Sequence, residues 1–151
     1  MRTAISQGVL AATACIAITS FVLVTSTAAA EDGKRIRIRM GDQAVTARLN
    51  DSEAAQDLAA MLPLTIRMDD HLRREKTGII PRSLSERTPG SRTYEMGDLG
   101  YWRPRNTFVI FYRQDGLTIP GPGIVLLGKV DAGIEIFDVP GAVQVVVESM
   151  D

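Results

Sequence analysis

The chain has 151 residues, 45% hydrophobic and 23% charged, with a formal net charge of -1. No acidic or basic block, low-complexity tract or internal repeat interrupts it, which excludes a disordered tail, a collagen-like array and a solenoid. Near-neutral charge gives no electrostatic footprint for a nucleic acid, although arginine outnumbers lysine and leaves a local anion site open.

The first thirty residues stand apart from the rest. Met1 and Arg2 give a short positive start, the run from 9 to 24 is largely apolar, and Ala28-Ala29-Ala30 precedes Glu31. This is the pattern of a secretory signal cleaved after Ala30. Thr13, Thr19 and Ser20 break a run already short for a membrane span. The expectation is therefore an exported protein, periplasmic or secreted, with residues 1–30 as signal, 31–151 as one domain, and no membrane contact after cleavage. Cys15, the single cysteine, lies inside the signal, so the mature domain carries neither a disulfide nor a thiol nucleophile.

From Lys34 the hydrophobic pattern has period two. Ile36, Ile38 and Met40 alternate with Arg35, Arg37 and Arg39; Gly41-Asp42 makes a turn; Val45, Ala47 and Leu49 continue. Residues 34–49 thus predict a hairpin, with the arginine row as a solvated face that discourages edge pairing. Asn50 or Asp51 is expected to cap a helix over 52–62, stopped by Pro63. Leu64, Ile66 and Met68 resume strand alternation. The stretch from His71 to Arg92 is polar and punctuated, with room for one short strand at 78–80. Further strands are predicted at 94–96, 101–102, 108–112, 124–130 and 142–148, with a helical turn at 132–137. About eight short strands with one main helix predict a mainly β domain, an eight-stranded antiparallel barrel that closes to remove its edges.

Several chemistries find no support. His71 is the single histidine and is expected in a surface loop, which leaves no histidine metal site. Asp69, Asp70 and His71 could hold a cation weakly, but adjacent residues on a strand end point to different faces, so a single site would need further partners. Pro120-Gly121-Pro122-Gly123 lacks donors at both prolines and opens no helix, so it is a turn and not a phosphate cradle. No cofactor or metal is implied.

The run Gly97-Asp98-Leu99-Gly100-Tyr101-Trp102, then Asn106, the strand 108–112, Leu127-Gly128-Lys129-Val130 and Gly133-Ile134-Glu135, resembles the bacterial cyclophilin-like family of small single-domain proteins. Leu62-Pro63-Leu64 and Ile80-Pro81-Arg82-Ser83-Leu84 extend the resemblance over nearly the whole domain. It implies a closed eight-stranded barrel similar to that of the cyclophilin prolyl isomerases. Fold does not carry activity. The Phe-His-Arg, Phe-Met-Gln-Gly-Gly and Ser-Gln-Phe-Phe segments of true isomerases are missing here, and Arg67, by strand position alone, is the nearest candidate for a catalytic arginine. Trp102, with Tyr101, Arg103 and Arg105, offers an aromatic face beside guanidinium groups, expected at the barrel mouth, where a peptide or small molecule would bind. Three functions follow as expectations: such binding without catalysis, divergent prolyl isomerisation of exported proteins, and presentation of the hairpin 34–49 to a partner. The intact mass of the secreted product should correspond to a chain starting at Glu31; a retained Met1 would remove the signal assignment.

Overall fold

Alternation of Ile36 and Ile38 with exposed arginines builds the first strand, and Gly41, at φ +58°, supplies the left-handed position for a tight reversal. The computed structural model describes residues 33–150, so the proposed signal and its cleavage site lie outside the described residues. β1 (Arg35–Met40) and β2 (Gln43–Leu49) form the expected hairpin, followed by α1 (Glu53–Ala59). Then come β3 (Leu64–His71), β4 (Glu75–Ile79), β5 (Asp98–Trp102), β6 (Thr107–Phe111), β7 (Val125–Val130) and β8 (Val143–Ser149). All pairings are antiparallel, in the closed order β1-β2-β7-β5-β6-β4-β3-β8.

Closure revises the reading of the hairpin. β1 pairs on its second side with β8, and β2 pairs with β7 from Ala47 to Leu49, so residues 34–49 are part of the closed ring and not a two-stranded edge. The arginine row remains a solvated face, with Arg39 paired to Glu148 at 2.9 Å. Other boundaries move for identifiable reasons. Ser52, not Asn50 or Asp51, caps α1: its Oγ accepts from Ala55 N at 3.2 Å, while Asn50 Oδ1 accepts from Ser52 N at 3.1 Å. The segment 94–96 is not a strand, because the Asp98 carboxylate accepts the Glu95 amide at 2.7 Å and closes a turn there. The polar stretch after β3 hides a full strand, β4. His71 is consequently the last residue of β3 and not part of a loop.

Inside the barrel, Ile36, Ile38, Ala47, Met68, Leu99, Phe108, Ile110, Leu127, Val145 and Val147 form one apolar core, joined by Ala54, Ala55 and Leu58 of α1. One charged side chain shares that interior. Lys76 is 0% exposed, and its Nζ donates to Asp70 Oδ2 at 2.9 Å, to Gly141 O at 3.0 Å and to Val139 O. Tyr112 completes the set: its hydroxyl donates to Asp70, and the Lys76 ammonium lies 5.6 Å from its ring centre. Burial works against the Asp70 carboxylate, but hydrogen bonds from Lys76 and Tyr112 outweigh it and hold Asp70 below the usual carboxylate range. Burial and the Asp70 hydrogen bond push Tyr112 up to about 12.

Removing one partner strands the other charge, so Asp70→Ala should cost about 3–5 kcal/mol in urea unfolding. The double variant with Lys76→Met should recover part of that loss; additive losses would show that the two side chains are not coupled.

Candidate functional site

Strand parity decides which residues reach the outer wall of the barrel. On β3, Ile66 and Met68 point inward while Thr65, Arg67 and Asp69 are exposed. On β4, β6 and β5 the outward positions are Glu75, Thr77 and Ile79, then Thr107, Val109 and Phe111, then Gly100 and Trp102. The ladder registers align these into rows: Trp102 beside Thr107 beside Ile79; Gly100 beside Val109 beside Thr77 beside Asp69; Phe111 beside Glu75 beside His71. Four residues separate Ile79 from Glu75 along β4, so the rows span about 13 Å.

A concavity of about 850 Å³ lies over these rows, and Arg67, Glu75, Ile79, Trp102, Arg105 and Phe111 are among its lining residues. That volume is within the range of small-ligand sites. One wall is a second, smaller core outside the barrel, in which Tyr94, Val109, Phe111, Ile119 and Ile124 are buried and Trp102 is half-buried against them. The Tyr94 and Phe111 rings stack with centres 4.0 Å apart. Gly100 makes the wall possible: a Cβ there would come within 2.6 Å of Ile124 Cγ1. Uncovered apolar surface remains at the other side, where Ile79 is 73% exposed.

The far end of the groove is polar. Leu72 and Arg73, both at φ +54°, carry the chain from β3 to β4 in a left-handed turn that non-glycine residues seldom adopt. Arg74, at the end of this turn, extends over the Tyr94 ring at 5.4 Å and binds Asp115 at 3.1 Å, while the Tyr94 hydroxyl donates to the same carboxylate. Next to it, the Glu75 side chain is only 9% exposed. Its nearest basic nitrogens are Arg74 Nε at 3.5 Å and His71 Nε2 at 3.8 Å. Burial dominates and raises Glu75 to about 7, against the pull of the Arg74 charge and its hydrogen bond and with a small push from Asp115.

The residues singled out from sequence separate cleanly. Trp102 and Arg105 line the groove together, and Arg67 lines its opposite side, with Nη2 3.4 Å from Asp69 Oδ1. The groove lies on the outer wall of the barrel and not at its mouth. Tyr101 takes the opposite parity to Trp102 and is buried in the main core, its hydroxyl donating to Asn106 Oδ1 at 2.9 Å. Arg103 turns away to bind the carbonyls of Glu86, at 3.2 Å, and Thr88, which ties the 86–88 segment to the 3-10 turn Arg103–Arg105. Glu75, Ile79 and Phe111 were not predicted; their common signal is outward parity on two paired strands, visible only once β4 is recognised. Among the described residues no group of three or more His, Cys, Asp or Glu side chains could hold a metal ion.

The sequence profile of the cyclophilin-like family matches residues 38–148, and the closed eight-stranded barrel is consistent with that fold. The chain belongs to that family. A solved structure of similar fold is that of the hypothetical protein AF2241 from Archaeoglobus fulgidus, with TM-score 0.64 and 20% identity over 78% of this chain and 95% of that one. At that identity the likeness speaks for the fold alone. No curated protein matches the chain at a significant level.

The folded protein holds a proton on Glu75 up to about pH 7, whereas the unfolded chain releases it near the ordinary glutamate value of 4.5. The folded state therefore binds more protons through this window, and stability from this group is lost as pH rises. Glu75→Gln should gain on the parent protein by about 2–3 kcal/mol between pH 4.5 and 7.5 in urea unfolding. A difference that does not vary with pH would show that Glu75 titrates normally.

Proposed function

We propose that this is an exported binding protein whose outer-wall groove receives a short extended peptide segment. The observation that carries the reading is the exposed Ile79 and the half-buried Trp102 on one row, with Thr107 between them and the guanidinium groups of Arg67 and Arg105 bordering the same concavity of about 850 Å³. An isoleucine 73% exposed on a strand between two groove walls is a surface that gains from being covered. The groove's length of about 13 Å suits roughly four extended residues, whose alternate side chains repeat the spacing of the rows. A small molecule of similar size fits the same description and is the other occupant to be tested.

Divergent prolyl isomerisation is the second reading, favoured by the place of Arg67. Its side chain borders an apolar groove, which is where a donor to the prolyl nitrogen would assist amide rotation over its barrier of about 18–20 kcal/mol.

Trp102 is the single tryptophan of the chain, so its fluorescence reports on the groove directly. Proline-containing peptides should shift its emission, and Ile79→Glu, a change at an exposed position, should abolish the shift while the protein stays folded. Exchange NMR on the same peptides separates the two readings. Accelerated cis/trans exchange lost in Arg67→Ala makes the protein an isomerase; binding without acceleration makes it a binding protein; an emission unchanged by any peptide or small ligand overturns both.

A further inference from the structure

The groove is not electrically uniform. Arg67 and Arg105 border it, and among the described residues no carboxylate other than the exposed Asp69 pairs with either. About 13 Å from Ile79, at the other end of the β4 row, a single carboxylate faces the groove from a nearly buried position. Every group facing Glu75 is identifiable: His71 from β3, Arg74 from the β3–β4 turn, and Asp115, from the loop after β6, which Arg74 and Tyr94 hold. Arg74 is shared, since its Nη1 engages Asp115 at 3.1 Å. The carboxylate is left with one shared and distant donor, Arg74 Nε at 3.5 Å, although its side chain is nine-tenths buried and lines the cavity. A buried carboxylate in that condition gains most from a ligand that brings it a cationic donor.

We propose that Glu75 is the specificity determinant of the groove and accepts the ammonium or guanidinium of a basic side chain, so that the groove selects extended peptide segments pairing an apolar residue at Trp102 and Ile79 with a lysine or arginine four positions away. This rests on the groove being a peptide site. Charge complementarity favours it: with Glu75 ionised, the Arg74, Asp115 and Glu75 cluster carries a net charge of -1, which one ligand cation neutralises. Four positions correspond to the spacing of the outer rows, because residues i and i+4 of an extended chain lie on one face about 13 Å apart. Binding is coupled to a proton. Only the ionised carboxylate pairs with a cation, and Glu75 holds its proton to about pH 7, so cation binding must release it. The affinity of a cationic ligand then falls as pH drops, by about tenfold between pH 8 and 5.5, within the roughly thirtyfold that one group titrating near 7 can supply.

The test uses blocked pentapeptides with phenylalanine and lysine at the two ends, in both orders, each against its norleucine counterpart, which keeps the length and removes the charge. Affinities are read from Trp102 fluorescence at pH 8 and 5.5. The lysine peptide should bind about tenfold more tightly than norleucine at pH 8, and should lose that advantage at pH 5.5 and in Glu75→Gln. Histidine is the other side-chain type that titrates near neutral pH, so His71→Asn is included and should keep the pH dependence. Equal binding of the two peptides overturns the proposal and leaves the groove reading intact, as does tighter binding at pH 5.5 or a lysine preference that survives in Glu75→Gln. A pH dependence lost in His71→Asn overturns it in favour of the imidazole. No response to any of the four peptides overturns both this proposal and the peptide-groove reading.

Discussion

The pairing of β8 with β1 on one side and β3 on the other is the constraint on which the rest of the structure depends. With the ring closed, each strand has one face toward the core and one toward solvent, and side-chain parity becomes absolute. A slip of one residue would exchange the faces of a whole strand. For β4 such a slip would bury Ile79 and Glu75 and expel Lys76 and Gly78. The groove is therefore a consequence of register: its rows exist because β3, β4, β6 and β5 are locked in the alignment that puts Asp69, Thr77 and Val109 side by side.

That register has an unusual guardian. Strand parity places Lys76 inside the barrel, where an unpaired ammonium would be prohibitively costly, and the fold meets the demand with a carboxylate, a phenol and two loop carbonyls. The buried pair fixes β4 against β3, and the carbonyls at 139 and 141 bring the loop before β8 to the same point. Alignment of the groove thus depends on a contact on the opposite face of the same strand.

Much of the barrel was legible in the sequence because its strands alternate. The residues from Arg35 to Leu49 announce their own pairing, and Leu64, Ile66 and Met68 announce β3. β4 does not. Arg73, Arg74, Glu75 and Lys76 present four consecutive charges, and since the inward position among them is a lysine, the apolar half of the alternation is missing. With β4 unrecognised, the outer rows could not be assembled, so Glu75, Thr77 and Ile79 stayed invisible as site residues. Trp102 and Arg105 were legible as an aromatic and a guanidinium near a turn. Their neighbours Tyr101 and Arg103 share the same local chemistry, and only parity and the carbonyls of Glu86 and Thr88 remove them from the groove.

β6 explains why the barrel has a groove at all. Each of its five residues is buried, as is usual for a strand covered on both faces, so its apolar run has no polar side to turn toward water. The inner side chains, Phe108 and Ile110, belong to the main core; the outer ones, Val109 and Phe111, require a cover of their own. The loop carrying Ile119 and Ile124 supplies it, and can lie close because Gly100 presents no side chain to Ile124. This cover extends over β5 and β6 and stops before Ile79 on β4, which stays exposed. The boundary between covered and uncovered sheet is a step, and the step is one wall of the groove. A strand buried on both faces next to a half-polar one produces such a step by burial alone.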